Sequence, residues 1–211
     1  MLENFIAHGE LSRQPNTVIG LAQSKTTPAL ELKGSANVRS GTVLYANSII
    51  GDDFQTGHNV LVREKSTIGK HVLIGTGTVV DGNMIIGNYV KIESNCYICT
   101  DMEIGNQCFL GPNVVCTNDM YPLKLRDIYK PIGPIIEDKV TIGGSVVLCP
   151  GVRIGSGSFI GAGTVVTKNI PKNSFVMGNP GRVTELPEKL KGENMALSWR
   201  KYQDQDTGKL R

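Results

Sequence analysis

The run TNDMYP at residues 117–122 sets a carboxamide, a carboxylate and a phenol within five positions: Asn118, Asp119 and Tyr121. A carboxylate can hold an amine or accept a proton from a reacting group, and a neighbouring carboxamide can fix geometry. Arg63, Glu64 and Lys65 form a second charged cluster in TGHNVLVREK (56–65), which also contains His58. The remaining histidines are His8 and His71, and Cys96 and Cys99 make a CxxC spacing. Three histidines raise the question of zinc, CxxC that of redox chemistry, and GSGSFIGAG (155–163) that of a dinucleotide loop. Which of these chemistries is open depends on the elements that carry the residues.

Those elements follow from a period of six. From Val38 the aliphatic lead residues recur as Leu44, Ile50, then Thr56, Val62, Ile68, Ile74, Val80, Ile86, Ile92, Ile98, Ile104, Leu110 and Cys116. The phase breaks there and resumes at Ile136, Ile142, Leu148, Ile154, Ile160 and Val166, and Gly follows the lead residue in half of these 20 hexads. A period of six suits neither an α-helix nor a plain alternating strand, but it does suit a short strand followed by a corner. The residue four after the lead (Val60, Ser66, Val72, Thr78, Val90, Val140, Val146, Val152) is small or branched and also points inward, while Gly, Asn and Asp supply the corners. Three hexads make a triangular coil of 18 residues, and 20 hexads make between six and seven coils stacked at about 4.8 Å. The fold class is an all-β solenoid.

The single break becomes the candidate site. Cys116 and Ile136 stand one full coil plus two positions apart, and the segment between them is an excursion loop over 117–135. Leaving a regular ladder forgoes its hydrogen bonds, so an excursion at one place suggests function. Residues 1–37 read as an irregular N-terminal cap, 38–183 as the solenoid, and 184–211 as a C-terminal helical segment around EKLKGENMALSWRKYQ.

Composition excludes other classes. Of 211 residues, 22 are Lys or Arg and 19 Asp or Glu, scattered to a net charge of +3, so nucleic-acid binding is not expected. No apolar run approaches the ~20 residues of a membrane span, and the acidic opening MLENFIAHGE is unlike a signal peptide, so the expected location is the cytoplasm. Five cysteines, an odd number, read as reduced thiols. Aromatic residues make up only 6% of the chain against 25 glycines, which calls for an aliphatic core and frequent turns.

The runs IIGDDFQTGHNV, TIGKHVLIGTGTVV, EIGNQCFLGPNVV and TIGGSVVLCPGVRIGSGSFIGAGTVVTKNIP, followed by GNP, resemble the hexapeptide-repeat acyltransferases over about residues 38–183. That resemblance implies a left-handed parallel β-helix, a homotrimer with sites between subunits, and acetyl-CoA as cosubstrate. The ND-x-x-P form of the loop, with RSGTVLYA (39–46), TGHNVLVREK and GTGTVVDG (75–82), resembles the branch that acetylates amino sugars carried on dTDP or UDP, and implies Asn118 and Asp119 as the pair at the sugar amino group. Maltose- and galactoside-type O-acetyltransferases place a histidine base near this point, and this sequence has none there. The chemistry agrees, because a hydroxyl needs a base to remove its proton whereas a partly neutral sugar amine needs only orientation and a proton acceptor. For the acyl donor the resemblance implies Gly144 and Ala162 at the thioester and pantetheine, Lys168 near phosphates, and Arg182 after GNP; the chain has GNPGR where GNPAR is usual, an extra glycine expected to loosen that turn.

Steps of 18 place Thr100 and Asp101, Gly82 and Asn83, and Glu64 and Lys65 on one edge with Asn118 and Asp119. The last pair lies about 14 Å away, the reach of a nucleotide sugar. Arg63, Glu64 and Lys65, with Tyr121, are therefore candidate substrate residues. His58 is a structural or substrate-edge residue, or an alternative base reaching Asn118 only across a subunit boundary. Zinc is not expected, since His58 and His71 are 13 apart on different faces and His8 lies outside the repeat. Cys96, Cys108 and Cys116 fall on inward phases, with Cys99 and Cys149 expected to be more exposed. Surface polysaccharide or glycan synthesis is the setting this reading implies. The alternatives are a sugar O-acetyltransferase and a non-catalytic or γ-carbonic anhydrase-like β-helix.

Overall fold

The computed structural model describes residues 2–125, 127–192 and 194–195 and is a three-sided prism of short strands. Its three sheets hold nine, eight and ten strands, and successive strands of the chain visit them in rotation. Pairing is parallel and in register at a spacing of 18: Leu61 pairs with Val79, Val79 with Tyr97, and Tyr97 with Val115. The lead aliphatics Ile50, Ile68, Ile86 and Ile104 stack inward, all at most 2% exposed, and Val60, Val72, Val90 and Val146 fill the fourth-position column. Phe54 is the one aromatic ring among the buried core residues described, since a bore this narrow takes branched aliphatics more readily than rings. Small buried hydroxyls are satisfied: Thr78 Oγ1 donates to the Glu93 carbonyl at 2.9 Å and accepts from the Cys96 amide at 3.1 Å.

Glycine follows the lead residue because the coils meet there. A β-carbon on Gly51, Gly69 or Gly87 would come within 2.7 Å of main-chain atoms of the next coil.

The prism starts earlier than the repeat suggests. Phe5–Ala7, Leu11–Arg13 and Val18–Ala22 each enter a different sheet in parallel pairing, and Leu2–Glu3 adds an antiparallel strand, so residues 1–37 are not an irregular cap. The boundary expected at 37/38 falls inside the strand Ala36–Val38. Phe5 pairs with Leu30, further along the chain than one regular coil would reach, because a loop after Ala22 lengthens this turn; that offset hides the first coil from a six-residue count. The excursion loop also differs from the one-coil-plus-two reading. Glu103 pairs directly with Ile135, so no coil is skipped and all of the surplus chain is added to one corner.

At the far end Ser174–Met177 joins the last coil and Arg182–Glu185 folds back antiparallel on it, closing the sheet edge. Of the expected C-terminal helix, the described part contains a 3₁₀ turn at Glu188–Leu190, and the remainder from 196 lies outside the described residues. Among the described residues no helix is long and apolar enough to cross a membrane.

Candidate functional site

Three edges separate the three sheets, and left-handed corner residues mark each of them. Edge one runs through Asn47, Lys65, Asn83 and Asp101, all at φ between 46° and 60°. Along it the Lys65 amide donates to Asn47 O, Asp101 to Asn83 O, and Gly133 to Asp101 O. Edge two runs through Asn59, Gly77, Asn95, Asn113, Ser145 and Gly163, and edge three through Asp53, His71 and Tyr89.

Asn118 keeps its rung on edge one. Its Nδ2 donates to Thr100 Oγ1 at 2.8 Å, and its carbonyl accepts from the Ile132 amide at 2.8 Å, so it anchors both ends of the excursion. Thr100 donates in turn to Asp101 Oδ2 at 3.2 Å, and Asn83 Nδ2 donates to the other oxygen of that carboxylate. A step of one coil sets Asp119 over Asp101, but Gly133 occupies that rung. Asp119 turns off the ladder instead, its Oδ1 accepting from the Tyr121 amide at 2.9 Å to open the loop. Tyr121 then packs edge-on against Tyr129, ring centres 5.4 Å apart, and stays about half exposed.

Lower on edge one, Arg63 is clamped. It donates to Glu64 at 2.9 Å and to Asp81 at 3.4 Å. Burial works to raise the Glu64 carboxyl, but hydrogen bonds from its own amide and from Arg63 leave it below the usual range. Tyr97 donates its hydroxyl to Asp81 at 2.9 Å, and burial together with that carboxylate pushes the phenol up to about 12. Neither Asp81 nor Tyr97 emerged from the sequence, although both follow from Arg63 by steps of 18 and 16. Lys65 is exposed on the same edge.

The residues expected at the acyl donor divide between two edges. Gly144 and Ala162 are consecutive rungs of edge two, the Ser145 amide donating to Pro112 O and the Gly163 amide to Gly144 O. Among the described residues neither the Gly144 nor the Ala162 amide donates a backbone hydrogen bond. Arg182, paired with Met177, begins the returning strand. Lys168 sits two residues beyond Val166, which pairs with Leu148, and so belongs to edge one, above Asn118. The GNPGR turn is tight, since a β-carbon on Gly181 would lie 2.9 Å from both Thr164 Cγ2 and Val176 Cγ1. His58 is on edge two with Gly144, its Nδ1 2.8 Å from Ser40 Oγ.

Edges one and two bound the same sheet. Its outward ladder is aliphatic apart from Tyr97: Val43, Leu61, Val79, Tyr97, Val115, Val147 and Val165. On edge three, His71 Nδ1 lies 2.8 Å from Asp53 Oδ2, and its ring stacks on Tyr89 with centres 4.7 Å apart. No group of three His, Cys, Asp or Glu side chains among the described residues is placed to hold a metal ion. Cys99 is 1% exposed, not open as expected, and burial pushes the Cys99 and Cys108 thiols up to about 12, away from redox or nucleophilic use.

Residues 83–118 and 133–168 both match the family described as bacterial transferase hexapeptide (six repeats). A Schizosaccharomyces pombe protein provisionally named an acetyltransferase is 49% identical over 77 residues, 35% of this chain and 37% of the relative. A Staphylococcus aureus (strain Mu50) protein, also provisionally named an acetyltransferase, is 54% identical over 56 residues, 26% of this chain and 28% of the relative. The chain thus spans about a third of the length of the curated relatives it matches. A solved maltose O-acetyltransferase from Clostridium difficile 630 is 32% identical, with a TM-score of 0.43, covering 54% of this chain and 64% of that one. Two matched stretches separated by the excursion loop agree with the fold class, a left-handed parallel β-helix built from hexapeptide repeats.

Proposed function

We propose that this chain is an acetyl-CoA-dependent N-acetyltransferase acting on the amino group of a dTDP- or UDP-linked sugar, in the cytoplasm, for surface polysaccharide or glycan synthesis. The observation that carries the reading is the exit of the loop at Asn118. A carboxamide fixed on Thr100 stands beside a carboxylate at the rung of edge one where the excursion loop leaves the ladder.

The two half-sites lie on opposite edges of one apolar face, so a single copy cannot bring them together. Packing three copies through that face brings edge one of each against edge two of the next, and supports a homotrimer whose sites are shared. The rung of Gly144 follows that of Asn113 directly, which sets the thioester within about one coil spacing of Asn118. In that setting Asn118 and Asp119 orient the neutral amine. Its nitrogen attacks the thioester carbonyl, the amides of Gly144 and Ala162 donate to the carbonyl oxygens of the acyl donor, and the C–S bond breaks to release the thiol of coenzyme A. The proton lost by the nitrogen passes to Asp119 and from there, through water, to the leaving sulfur.

The test is thiol release from acetyl-CoA with dTDP- and UDP-linked amino sugars and their hydroxyl counterparts. Turnover with the amines is expected, falling about 10²-fold in Asp119→Asn and Asn118→Ala. Turnover only with hydroxyl acceptors, or unchanged rates in both variants, overturns the reading.

A further inference from the structure

The eight-stranded sheet, between edges one and three, carries an apolar stripe on its outer surface. Ile49 pairs with Thr67 and Thr67 with Ile85 on consecutive coils, and the two isoleucines are 43% and 53% exposed. Tyr89, on edge three in the coil of Ile85, is exposed to a like degree, its ring stacked on His71. Below, the stripe ends in a cavity of about 360 Å³ walled by Pro28 and Ala29. Contiguous exposed apolar surface marks a contact, whereas scattered single residues do not. The chain itself leads there. Above Tyr89, edge three continues through Gln107, Lys139, Gly157 and Asn173. After the returning strand Arg182–Glu185 at the top of the prism, Leu186 is buried, and the Asn194 side chain donates to Gln107 O at 2.7 Å. The segment between them has thus descended three rungs, and at Asn194 it stands on the rung directly above Tyr89.

We propose that residues 196–211, which lie outside the described residues, dock on this stripe of their own chain. Reach allows it. Sixteen residues span about 24 Å as a helix and more if extended, while Ile49 lies three rungs, about 14 Å, below the level of Gln107. The sequence pattern suits it, because Met195, Trp199 and Tyr202 recur at the i, i+4, i+7 spacing with which an amphipathic helix lays anchors on an apolar surface. Charge favours it as well. The segment carries Arg200, Lys201, Lys209 and Arg211 against Asp204 and Asp206. Glu103, next above Ile85 on the outer ladder, is exposed and forms no ion pair among the described residues. Edge three also borders the ten-stranded sheet, but below Phe109 the outer ladder of that sheet reads Lys91, Leu73, Gln55, Asn37 and Ser12, polar but for one residue. The contact does not depend on the acyltransfer reading.

Trp199 is the one tryptophan of the sequence, so its fluorescence reports the segment directly. The folded full chain is expected to emit at shorter wavelength than the urea-denatured chain and to be protected from acrylamide quenching. Ile85→Lys places a charge on the stripe without touching the core, and Tyr89→Asn removes the ring with a residue suited to the left-handed corner. Each is expected to shift the emission to that of the denatured chain and to abolish the protection. A folded wild type that emits like the denatured chain overturns the docking, as does protection that survives in either variant. Ile85→Lys chains mixed with Trp199→Phe chains, whose stripe is intact, are expected to stay unprotected. Recovery of protection after mixing means that the segment crosses to a neighbouring copy, and overturns docking within one chain.

Discussion

Arg63, Glu64, Asp81 and Tyr97 hold one another at fixed separations, so the cluster shapes the wall of edge one more than it offers a mobile charge. The phenol shows this most directly. Folding raises its pKa from 10 to about 12, so the fold favours the protonated ring. That contribution to stability is complete below pH 10 and is lost as pH rises towards about 12. Ultraviolet titration should therefore show one tyrosine ionising late, and Tyr97→Phe should remove that late step. A late step that persists in the variant would assign it to another ring.

Between coils the decisive contacts are main chain against main chain. Gly87→Ala would press a methyl within 2.7 Å of the Gly105 carbonyl carbon, which cannot rotate away as a side chain could. A loss of about 1–3 kcal/mol is expected, read as a lower denaturant midpoint with unchanged slope; a neutral result would mean the coils can separate locally. The period itself was legible from Val38 onward because every lead residue had to enter the same narrow bore. The first coil was not, since the residues after Ala22 shift Phe5 and Leu11 out of phase with the partners they meet. The excursion was legible as a break but not in its register. The gap between Cys116 and Ile136 fits a skipped coil as well as an enlarged corner, and only the pairing of Glu103 with Ile135 decides. For the same reason sequence steps set Asn118 on Thr100 correctly and Asp119 on Asp101 wrongly.

For the molecule as a whole, the proposed site, with Asn118 and Gly144 separated by a full sheet, would make activity a property of neighbouring copies. Mixing equal amounts of Asn118→Ala and Gly144→Asp subunits should then restore activity that neither variant has alone. Only the junctions that join an intact edge one to an intact edge two are whole, about a quarter of the total after random assembly. No recovery after verified subunit exchange would confine each site to one copy. The in-register stack of coils has a last consequence. Ser66 pairs with Met84, so residues 66–83 are one complete turn, and Lys65 and Asn83 stand at equivalent corners one turn apart. For the proposed acceptor the prism would therefore serve as a gauge graduated in steps of about 4.8 Å. Natural gain or loss of a turn between Lys65 and Asn118 would change the length of acceptor it measures while leaving the chemistry at either end as it was.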